Sequence, residues 1–356
     1  MRSLSKECVS RAYTNSLILE YLRIYNRAFV PLASFPIHTE VARLSSLWDR
    51  HDSKLNKHFK LTKMLSNTSR TGIVLLGHLA HDPSAKFVVK VQKNKKLGSV
   101  DSLDPDVVNG YIMNWVAAQS PHFMITYGAF TCDIAYKKNN ASELAYFSAC
   151  RRGASENKNA VIGYDKLHVV QEYVPGDTLF RFIHTCTERT LIDLIGQILM
   201  ALVQANRVLG SYQHNDLHTG NVMVRKGPLG KFIRYQVSGM TYYIPSDNVA
   251  VIIDYGRSTS GLAATTSAHA FVEKMFGPIE LDDQVSSFTG DWYNMFREVK
   301  NAIRHHNRHS LANVVRFMDT LRPSLSTWDV LQAYMRHYPR SAPDTTSDVV
   351  MEVTIT

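Results

Sequence analysis

The segment from residue 214 to residue 221 reads HNDLHTGN and holds the side chains with the clearest chemistry in the chain. Asp216 and Asn221 lie five positions apart, between a long apolar segment and a short apolar one, so both are expected on one loop. An aspartate there can orient an attacking hydroxyl and accept its proton, while an asparagine can hold a magnesium ion that neutralises phosphate charge. The pattern therefore predicts a phosphoryl-transfer site, with Asp216 as the base and Asn221 as a metal ligand.

A second oxygen ligand for the metal is predicted at Asp254. This residue follows an apolar run at residues 249–253 and precedes Tyr255 and Gly256, so a turn can direct its carboxylate into a cleft. Magnesium suits such a site because it binds oxygen atoms, keeps several waters and needs few carboxylates. The simpler alternative is that Asp254 is an ordinary turn residue.

Regular elements flank these residues on both sides. Apolar side chains recur at helical spacing over residues 190–209, and Thr190 with Asp193 resembles a capping box at the start of that helix. From Asp291 onward the pattern is helical again. Between these helical parts, apolar residues predict strands at 232–237, 240–244 and 249–253.

The earlier part of the chain is richer in predicted strands. The clearest is at residues 86–92, and others are expected at 123–130 and 167–174. One helix is predicted to begin at Asp104 as N-cap, because Pro105 suits the first helical position. Since Pro175 and Gly176 separate this part from the later helices, the order of elements predicts two lobes with a cleft.

These motifs resemble those of the eukaryotic-type protein kinase superfamily. HNDLHTGN stands where the family has H-R-D-x-x-x-x-N, and Asp254-Tyr255-Gly256 stands where it has D-F-G. The resemblance covers residues 65–296, about two-thirds of the chain. It implies an α+β, two-lobed protein kinase-like fold, with a small antiparallel β-sheet in the N-terminal lobe and a mainly helical C-terminal lobe.

The resemblance also implies ATP and Mg²⁺ as cofactors, with Mn²⁺ able to replace magnesium. Lys90 would pair with the α- and β-phosphates, and Gln171 would be the gatekeeper of a hinge whose backbone groups meet adenine. A phosphate-covering loop matches G-x-G-x-x-G-x-V at one glycine of three, so it is expected to be stiffer than usual. The implied nucleotide-binding residues are Asn67, Ser69, Gly72, Val74, Val88, Lys90, Asp106, Gln171, Glu172 and Val174. The implied catalytic residues are Asp216, Asn221, Asp254 and Lys90, of which Asn221 and Asp254 hold the metal.

The partner of Lys90 is not the glutamate that the family uses, since no Glu occurs between Lys90 and Glu143. Ordinary kinase spacing would put an acid near Asn109, which is an amide. A pattern similar to that of divergent serine/threonine kinases of large DNA viruses would put it at Asp106, and this residue is the preferred candidate. The alternatives are that Asp106 is an exposed helix acid and that Lys90 is a solvated strand lysine. The viral-type pattern comprises Asp106, Gly110, Asn114 and Pro121-His122-Phe123.

Other details resemble haspin-like kinases. These have D-L-H-x-G-N, a hairpin-like insertion before D-Y-x, and no A-P-E, which is also absent between Asp254 and Asp291 here. Asn215 replaces the arginine that clamps a phosphorylated activation loop, so activity is expected not to depend on such a phosphosite. His214 is expected to pack beneath the Asp254 segment, and Asp291 resembles the residue that anchors the catalytic loop.

Composition excludes several other classes of protein. Apolar residues make up 45% and charged residues 20%, which is typical of globular proteins, and no apolar stretch is long enough to span a bilayer. The four cysteines show neither C-x-x-C nor metal-ligand spacing, which favours an intracellular compartment, cytoplasmic or nuclear. The net charge of +9 weakly favours an acidic partner.

Basic residues cluster at Arg304, His305, His306 and His309. The cluster is interpreted as a solvated helix face. The alternative, a nucleic-acid patch, lacks the interleaved aromatic residues that such patches use, so no specific nucleic-acid binding is expected.

Together the residues and the resemblance predict an ATP- and magnesium-dependent serine/threonine protein kinase. A pseudokinase that serves as a nucleotide-binding scaffold is the first alternative, and a small-molecule phosphotransferase is the second. A monomer that acts on a protein substrate away from membranes is expected, and a viral version would act in the host cell and could enter the virion. The predicted parts are a helical N-terminal extension at 1–60, an N-terminal lobe at 61–174 with an exposed loop at 133–165, a C-terminal lobe at 175–342 and a polar, frayed tail at 343–356.

Overall fold

The structure, a computed structural model, describes most of the chain between residues 59 and 355. The predicted helical extension lies outside the described residues, except that Phe59 and Lys60 open the first strand. Asn67 and Ser69 also lie outside them. The described residues are 59–66, 72–79, 82–92, 104–117, 119–132, 134–135, 146–147, 166–260, 290–340, 342–343 and 348–355.

Strands dominate up to residue 172, and longer helices follow. The strands are β1 (Phe59–Ser66), β2 (Gly72–Leu79), β3 (Lys86–Gln92), β4 (Thr126–Cys132), β5 (Ile134–Ala135), β6 (Tyr146–Phe147), β7 (Lys166–Glu172), β8 (Asp177–Thr178), β9 (Tyr212–Gln213), β10 (Val222–Lys226), β11 (Phe232–Val237), β12 (Met240–Pro245), β13 (Asn248–Ile252), β14 (Thr259–Ser260) and β15 (Val349–Ile355). The helices are α1 (Asp104–Ala117), α2 (Leu179–Phe182), α3 (Glu188–Leu209), α4 (Asp291–His305), α5 (Ala312–Asp319) and α6 (Thr327–His337), with a 3₁₀ turn at His309–Leu311.

A five-stranded antiparallel sheet forms the first part of the structure, in the order β1-β2-β3-β7-β4. Strand β3 has the bounds that the sequence predicts, and its register pairs Lys90 with Val74 on β2. Val88, two residues before Lys90, pairs with Gln171 on β7. Because directly paired residues in an antiparallel ladder share a face, and residues two apart do as well, these four side chains lie on one face of the sheet.

Helix α1 approaches the sheet closely at Gly110. A Cβ atom at Gly110 would lie 2.4 Å from Oγ1 of Thr126, so a larger residue would push the helix away from β4. One turn later, Asn114 Nδ2 donates to Thr126 O at 2.7 Å, and Thr126 N donates to Asn114 Oδ1 at 2.9 Å. Asp106 lies one turn before Gly110 on the same helix face, since residues four apart are neighbours there.

Helix α3 is the long helix of the core. It begins at Glu188 rather than at Thr190, because Thr187 is the N-cap and its Oγ1 accepts a hydrogen bond from Thr190 N at 3.2 Å. In the described part of the chain α3 is the one helix whose length and composition would allow it to cross a membrane. However, 83% of its apolar window is buried inside the protein, as in an ordinary core helix.

A small sheet of order β13-β10-β8 carries the loop residues of interest at its ends. Strand β10 follows the HNDLHTGN loop, and β13 leads into Asp254. The sheet is tied to the segment before β4, because Ile252 N donates to His122 O at 2.8 Å and Met124 N donates to Ile252 O at 3.1 Å. This connection holds the Asp254 turn next to the five-stranded sheet.

The predicted hairpin of β11 and β12 is present, and a strand that the sequence analysis did not predict extends it. Strand β15 pairs in parallel with β11. The interpretation of residues 343–356 as a polar, frayed tail is therefore wrong for Val349–Ile355. Burial explains the difference, since Val353 and Ile355 enter the core while the intervening Thr354 stays exposed.

The fold is thus a mixed one of sheets and helices, in agreement with the coarse prediction. Of the predicted exposed loop at 133–165, the structure describes only the short antiparallel strands β5 and β6. The division into two lobes and the domain boundaries stay predictions.

Candidate active site

Lys90 lies between two aspartates that come from distant parts of the chain. Its Nζ donates hydrogen bonds to Oδ1 of Asp106 and to Oδ1 of Asp254, both at 2.8 Å. Strand β3 supplies the lysine, helix α1 the first aspartate and the turn after β13 the second. Lys90 is 5% exposed and Asp106 is 1% exposed, so neither is the solvated residue that the simpler interpretations describe.

Burial and mutual attraction set the ionisation of this cluster. Burial alone would lower the pKa of Lys90, but the two carboxylates outweigh it and raise that pKa above its usual value. Burial raises the pKa of Asp106 to about 6, against the attraction of Lys90. The charge of Lys90 lowers the pKa of Asp254 to about 2. At neutral pH the cluster therefore holds one cation and two anions, which leaves negative charge for a cation to neutralise.

The turn that presents Asp254 has an unusual backbone. Asp254 has φ of +64°, a left-handed conformation that Asp and Asn adopt more readily than most other non-glycine residues. The buried hydroxyl of Tyr255 lies within hydrogen-bond distance of Met124 O, at 3.0 Å, and of Ile252 O, at 2.9 Å. Gly256 lets the turn approach α1, because a Cβ atom there would lie 2.8 Å from Oδ2 of Asp106.

Asn109 holds the segment after Asp254, a role that the sequence analysis did not identify. Its buried Nδ2 donates to Tyr255 O at 2.9 Å and to Ser258 O at 2.8 Å, so both amide protons are used. The position where ordinary kinase spacing would put the acid is thus occupied by a residue that binds backbone. The signal for this role in the sequence was an amide side chain, which has two hydrogen-bond donors and no charge, three residues after Asp106.

The HNDLHTGN loop is anchored from the start of α4. Oδ2 of Asp291 accepts a hydrogen bond from His214 N at 2.6 Å, and Oδ1 accepts one from Asn215 N at 3.0 Å. Asn215 has φ of +59°, and its side chain donates to Arg257 O at 2.9 Å. His214 is buried and its Nε2 donates to Ile253 O at 3.0 Å, so the loop and the Asp254 turn are held against each other.

Asp216 and Asn221 lie at the two ends of this anchored loop. The Asp216 side chain is 39% exposed, and Nη1 of Arg257 lies 3.9 Å from its Oδ1. Asn221 is nearly buried, and its Nδ2 donates to Asp216 O at 2.9 Å. Among the described residues nothing donates to Oδ1 of Asn221, so an oxygen is left for a cation. Arg257 is a second residue that the sequence analysis did not single out.

The chemistry of these side chains fits a magnesium ion. Asn221 offers an amide oxygen, and Asp254 offers a carboxylate that is 37% exposed although it contacts Lys90. Magnesium binds oxygen atoms and completes its shell with water and phosphate oxygens. In the part of the chain that the structure describes, no three His, Cys, Asp or Glu side chains are grouped to hold a metal, and a site of this kind does not require them.

Of the predicted nucleotide-binding residues in the sheet, Val74, Val88 and Gln171 share the face that carries Lys90, whereas the side chain of Glu172 lies on the opposite face. Val74 and Val88 are half-buried there, and Gly72 opens β2. Gln171 is buried, and its Nε2 has no hydrogen-bond partner among the described residues. Because buried amide groups are normally satisfied, this donor is a candidate contact for a ligand on that face.

The predicted hinge is partly occupied by contacts within the protein. Glu172 N donates to Ile125 O at 2.8 Å, and Oε2 of Glu172 accepts from Ile125 N at 3.2 Å. Oε1 of Glu172 lies 3.9 Å from Nη1 of Arg225. The N–H and the side chain of Glu172 are therefore used internally. The hinge interpretation then depends on the carbonyl of Glu172 and on the backbone of Val174, which follows β7.

The comparisons with known proteins found similarity to two viral proteins, one in sequence and one in structure. No family model matches the chain. The uncharacterized protein 035R of Invertebrate iridescent virus 3 is 33% identical in an alignment of 98 residues, which covers 25% of this chain and 9% of that protein. The structure of the Cydia pomonella granulovirus kinase PK-1 is similar with a TM-score of 0.31 and 17% identity, over 62% of this chain and 56% of the kinase. The chain thus spans less than two thirds of the length of either protein.

Proposed function

We propose that this protein is an ATP- and magnesium-dependent protein kinase that phosphorylates serine or threonine hydroxyls. The observation that carries the proposal is the position of Lys90, 2.8 Å from both Asp106 and Asp254. A buried strand lysine held by a helix acid, next to an aspartate that ends another strand, is the arrangement that positions a nucleoside triphosphate in protein kinases. The anchored loop with Asp216 and Asn221 lies beside it, as phosphoryl transfer requires.

Each residue has a distinct role in the proposed reaction. Lys90 binds the α- and β-phosphates, and Asp106 keeps its amine in place. Asp216 is exposed enough to meet a substrate hydroxyl, orients it towards the γ-phosphate and accepts its proton. Asn221 and Asp254 would hold magnesium, which supplies positive charge that neutralises the phosphates when it is bound.

The adenine is proposed to lie against the sheet face that carries Lys90. Val74 and Val88 provide apolar contact there, while Gln171 and the backbone of Glu172 and Val174 contact its polar edge. Asn67, Ser69 and Gly72 belong to the proposed loop over the phosphates.

Preorganisation is what this chain contributes to the rate. The two backbone hydrogen bonds from the loop to Asp291, at 2.6 and 3.0 Å, hold Asp216 and Asn221 in fixed relation before substrate arrives. A group that is already positioned needs no reorganisation at the moment of reaction, which can lower the barrier substantially.

A protein substrate, a monomeric enzyme and a viral origin complete the proposal. The partial sequence identity with a protein of an iridescent virus supports the viral origin. On that origin the kinase would act inside the host cell, in the cytoplasm or nucleus, and could be carried in the virion.

The test is transfer of labelled phosphate from ATP, with magnesium or manganese, to an acidic protein, a basic protein and the enzyme itself. Asp216→Asn should reduce turnover by about 10²- to 10⁴-fold while nucleotide binding persists, because the variant keeps the shape but loses the base. Asp319→Asn, a surface acid that pairs with Lys300 at 2.8 Å, is the matched control and should retain full activity. Equal turnover by wild type and Asp216→Asn would contradict the assignment.

The same experiment separates the second candidate, a nucleotide-binding scaffold without catalysis. Its support is that Asn67 and Ser69 stand where the family has two of its glycines. Magnesium-dependent thermal stabilisation by ATP, without transfer to any protein, would favour it. Transfer to sugars, choline or aminoglycosides rather than to proteins would instead favour the small-molecule phosphotransferase.

A further inference from the structure

A basic surface lies next to the loop of the candidate active site. It is formed where the end of α4 meets α2 and the turn that follows α2. The end of α4 and the segment formed by α2 and its following turn both contribute positively charged side chains and histidines. We define the basic cluster as Arg181, His184, Arg304, His305, His306 and Arg308.

Phe180 connects the basic cluster to the HNDLHTGN loop. Its backbone N–H donates to the carbonyl of Thr219, between Asp216 and Asn221, at 3.1 Å. Its own carbonyl accepts a hydrogen bond from Nε2 of His306 at 2.9 Å. The ring of Phe180 lies 5.3 Å from the ring of His305 and 4.9 Å from that of His306. The cluster is therefore attached to the proposed catalytic loop through a single residue.

Arg308 joins the two sides of the basic cluster into one surface. Its guanidinium donates to the carbonyl of His184 through Nη1 and to that of Cys186 through Nη2, the latter at 2.6 Å. The rings of His184 and His306 lie 5.2 Å apart. A ligand would thus meet side chains whose relative positions are already set, so binding would cost little ordering of the protein.

Within the described residues, the positive charge of this surface has no ion-paired partner. Among the described residues no carboxylate forms an ion pair with the basic cluster, although Asp177 is exposed on the nearby strand β8. Two nearby acids have other partners. Glu298 on α4 lies 3.8 Å from Arg297, and Glu188 at the start of α3 accepts hydrogen bonds from Asn313 at 3.0 and 3.1 Å.

The dipole of α4 explains only part of this cluster. Cations at the end of a helix are favourable, which accounts for Arg304 and His305. It does not account for Arg181 and His184, which come from the other side and are also exposed. Three guanidiniums with permanent charge, together with the exposed imidazoles of His184 and His305, which can donate hydrogen bonds, form a surface suited to an anionic partner.

We propose that the basic cluster binds an acidic segment of the protein substrate, close to the hydroxyl that is phosphorylated. This inference rests on the proposed kinase function and adds a substrate class to it. The attachment of the cluster to Thr219 places acidic side chains within a short length of peptide from Asp216. A peptide fits better than a nucleic acid, because the ring of Phe180 is partly buried and packs against two histidines, which limits its use as a platform for stacking bases.

The test is the binding of three fluorescent peptides to the full-length protein, measured by anisotropy without nucleotide. The peptides share one serine and differ in having glutamates, alanines or lysines around it. Wild type should bind the glutamate peptide most tightly. Arg304→Gln with His305→Gln should weaken that binding by about threefold to tenfold, as expected for loss of two exposed charged or polar contacts.

A matched control comes from the chain itself. Arg336 and His337 form the same Arg-His pair in the last turn of α6 and are also exposed. Arg336→Gln with His337→Gln removes equal charge elsewhere and should leave binding of the glutamate peptide unchanged.

Three outcomes would overturn the inference. The first is that wild type binds the glutamate and lysine peptides equally well. The second is that both double variants lose the same amount of affinity for the glutamate peptide. The third is that wild type binds a single-stranded DNA of matched charge more tightly than the peptide, and that only the Arg304 and His305 variant loses this DNA binding. Because the measurement needs no phosphate transfer, an inactive protein would disprove the proposed function without altering the binding result. Conversely, an active enzyme that prefers no acidic peptide would disprove this inference alone.

Discussion

The amine of Lys90 lies 2.8 Å from Oδ1 of Asp106, an acid one methylene shorter than the glutamate that protein kinases use. The shorter side chain reaches the lysine because its surroundings are tightly packed. A Cβ atom at Gly110 would lie 2.4 Å from Thr126, and one at Gly256 would lie 2.8 Å from Asp106 itself. The short side chain of Asp106 and the absence of side chains at Gly110 and Gly256 are therefore parts of the same close packing.

Asp106→Glu is expected to impair the protein, although glutamate is the residue that protein kinases use to hold their strand lysine. The extra methylene must fit at a fully buried position against Gly256, and overpacking of this kind costs about 1–3 kcal/mol. The amine of Lys90 would be displaced, so the kcat/KM for ATP should fall as well. Chemical denaturation and steady-state kinetics check both effects. Wild-type stability and activity in Asp106→Glu would contradict the packing argument.

Lys90→Met is expected to destabilise the protein, and more strongly at pH 8 than at pH 5. Removing one partner of a buried ion pair costs about 3–5 kcal/mol, because charges are left uncompensated. In the variant the charge of Lys90 no longer lowers the pKa values of Asp106 and Asp254, so the folded variant binds more protons than the folded wild type between these pH values. Stability of the variant relative to wild type must then fall as pH rises. Urea denaturation at both pH values measures this gap, and a gap that does not change with pH would exclude the charge explanation.

Asp291→Asn is expected to reduce turnover without removing nucleotide binding. An amide has one acceptor oxygen, so one of the N–H groups of His214 and Asn215 would lose its partner and face an NH₂ group. The cost should be about 1–3 kcal/mol in stability, and a shift of the loop by 1 Å can cost about 10²-fold in rate. Single-turnover kinetics and nucleotide titration separate the two effects. Glu298→Gln, on the same helix, is the control that should keep wild-type kinetics.

Val353→Asp is expected to destabilise the protein by more than about 3 kcal/mol, because it buries a charge in the core beside β11. Thr354→Asp, one residue later, places the same charge on the exposed side of β15 and should change stability by less than about 0.5 kcal/mol. Thermal unfolding of the two variants compares them directly. Similar melting temperatures would mean that β15 does not contribute to the core as described.

Local patterns predicted much of the fold. The apolar residues of β3, the hairpin of β11 and β12 and the long helix α3 all follow from periodicity within a few residues, and their bounds agree with the structure to within two residues. Strand β15 was missed, although Val353 and Ile355 alternate with Glu352 and Thr354. Its partner β11 is more than a hundred positions earlier in the chain, so the pairing cannot be inferred from neighbouring residues.

The same contrast between local patterns and contacts of distant segments applies to the candidate site. The roles of Asp216, Asn221 and Asp254 stay predictions, but these residues were singled out because residue type and spacing within one loop or turn indicate such chemistry. Asn109 and Arg257 were not, since their roles arise from contacts with segments that meet them only after folding. The choice of Asp106 depended on a family-like pattern, and its contact with Lys90 is visible only where α1 meets the sheet.

The three charges of the cluster also differ in when they become available during synthesis. Lys90 and Asp106 are separated by 16 positions, whereas Lys90 and Asp254 are separated by 164. At the speed of translation the second aspartate follows on the order of ten seconds later. A nascent chain can therefore bury a neutral lysine–aspartate pair first, and the anion that would attract a metal is added only once Asp254 has been synthesised.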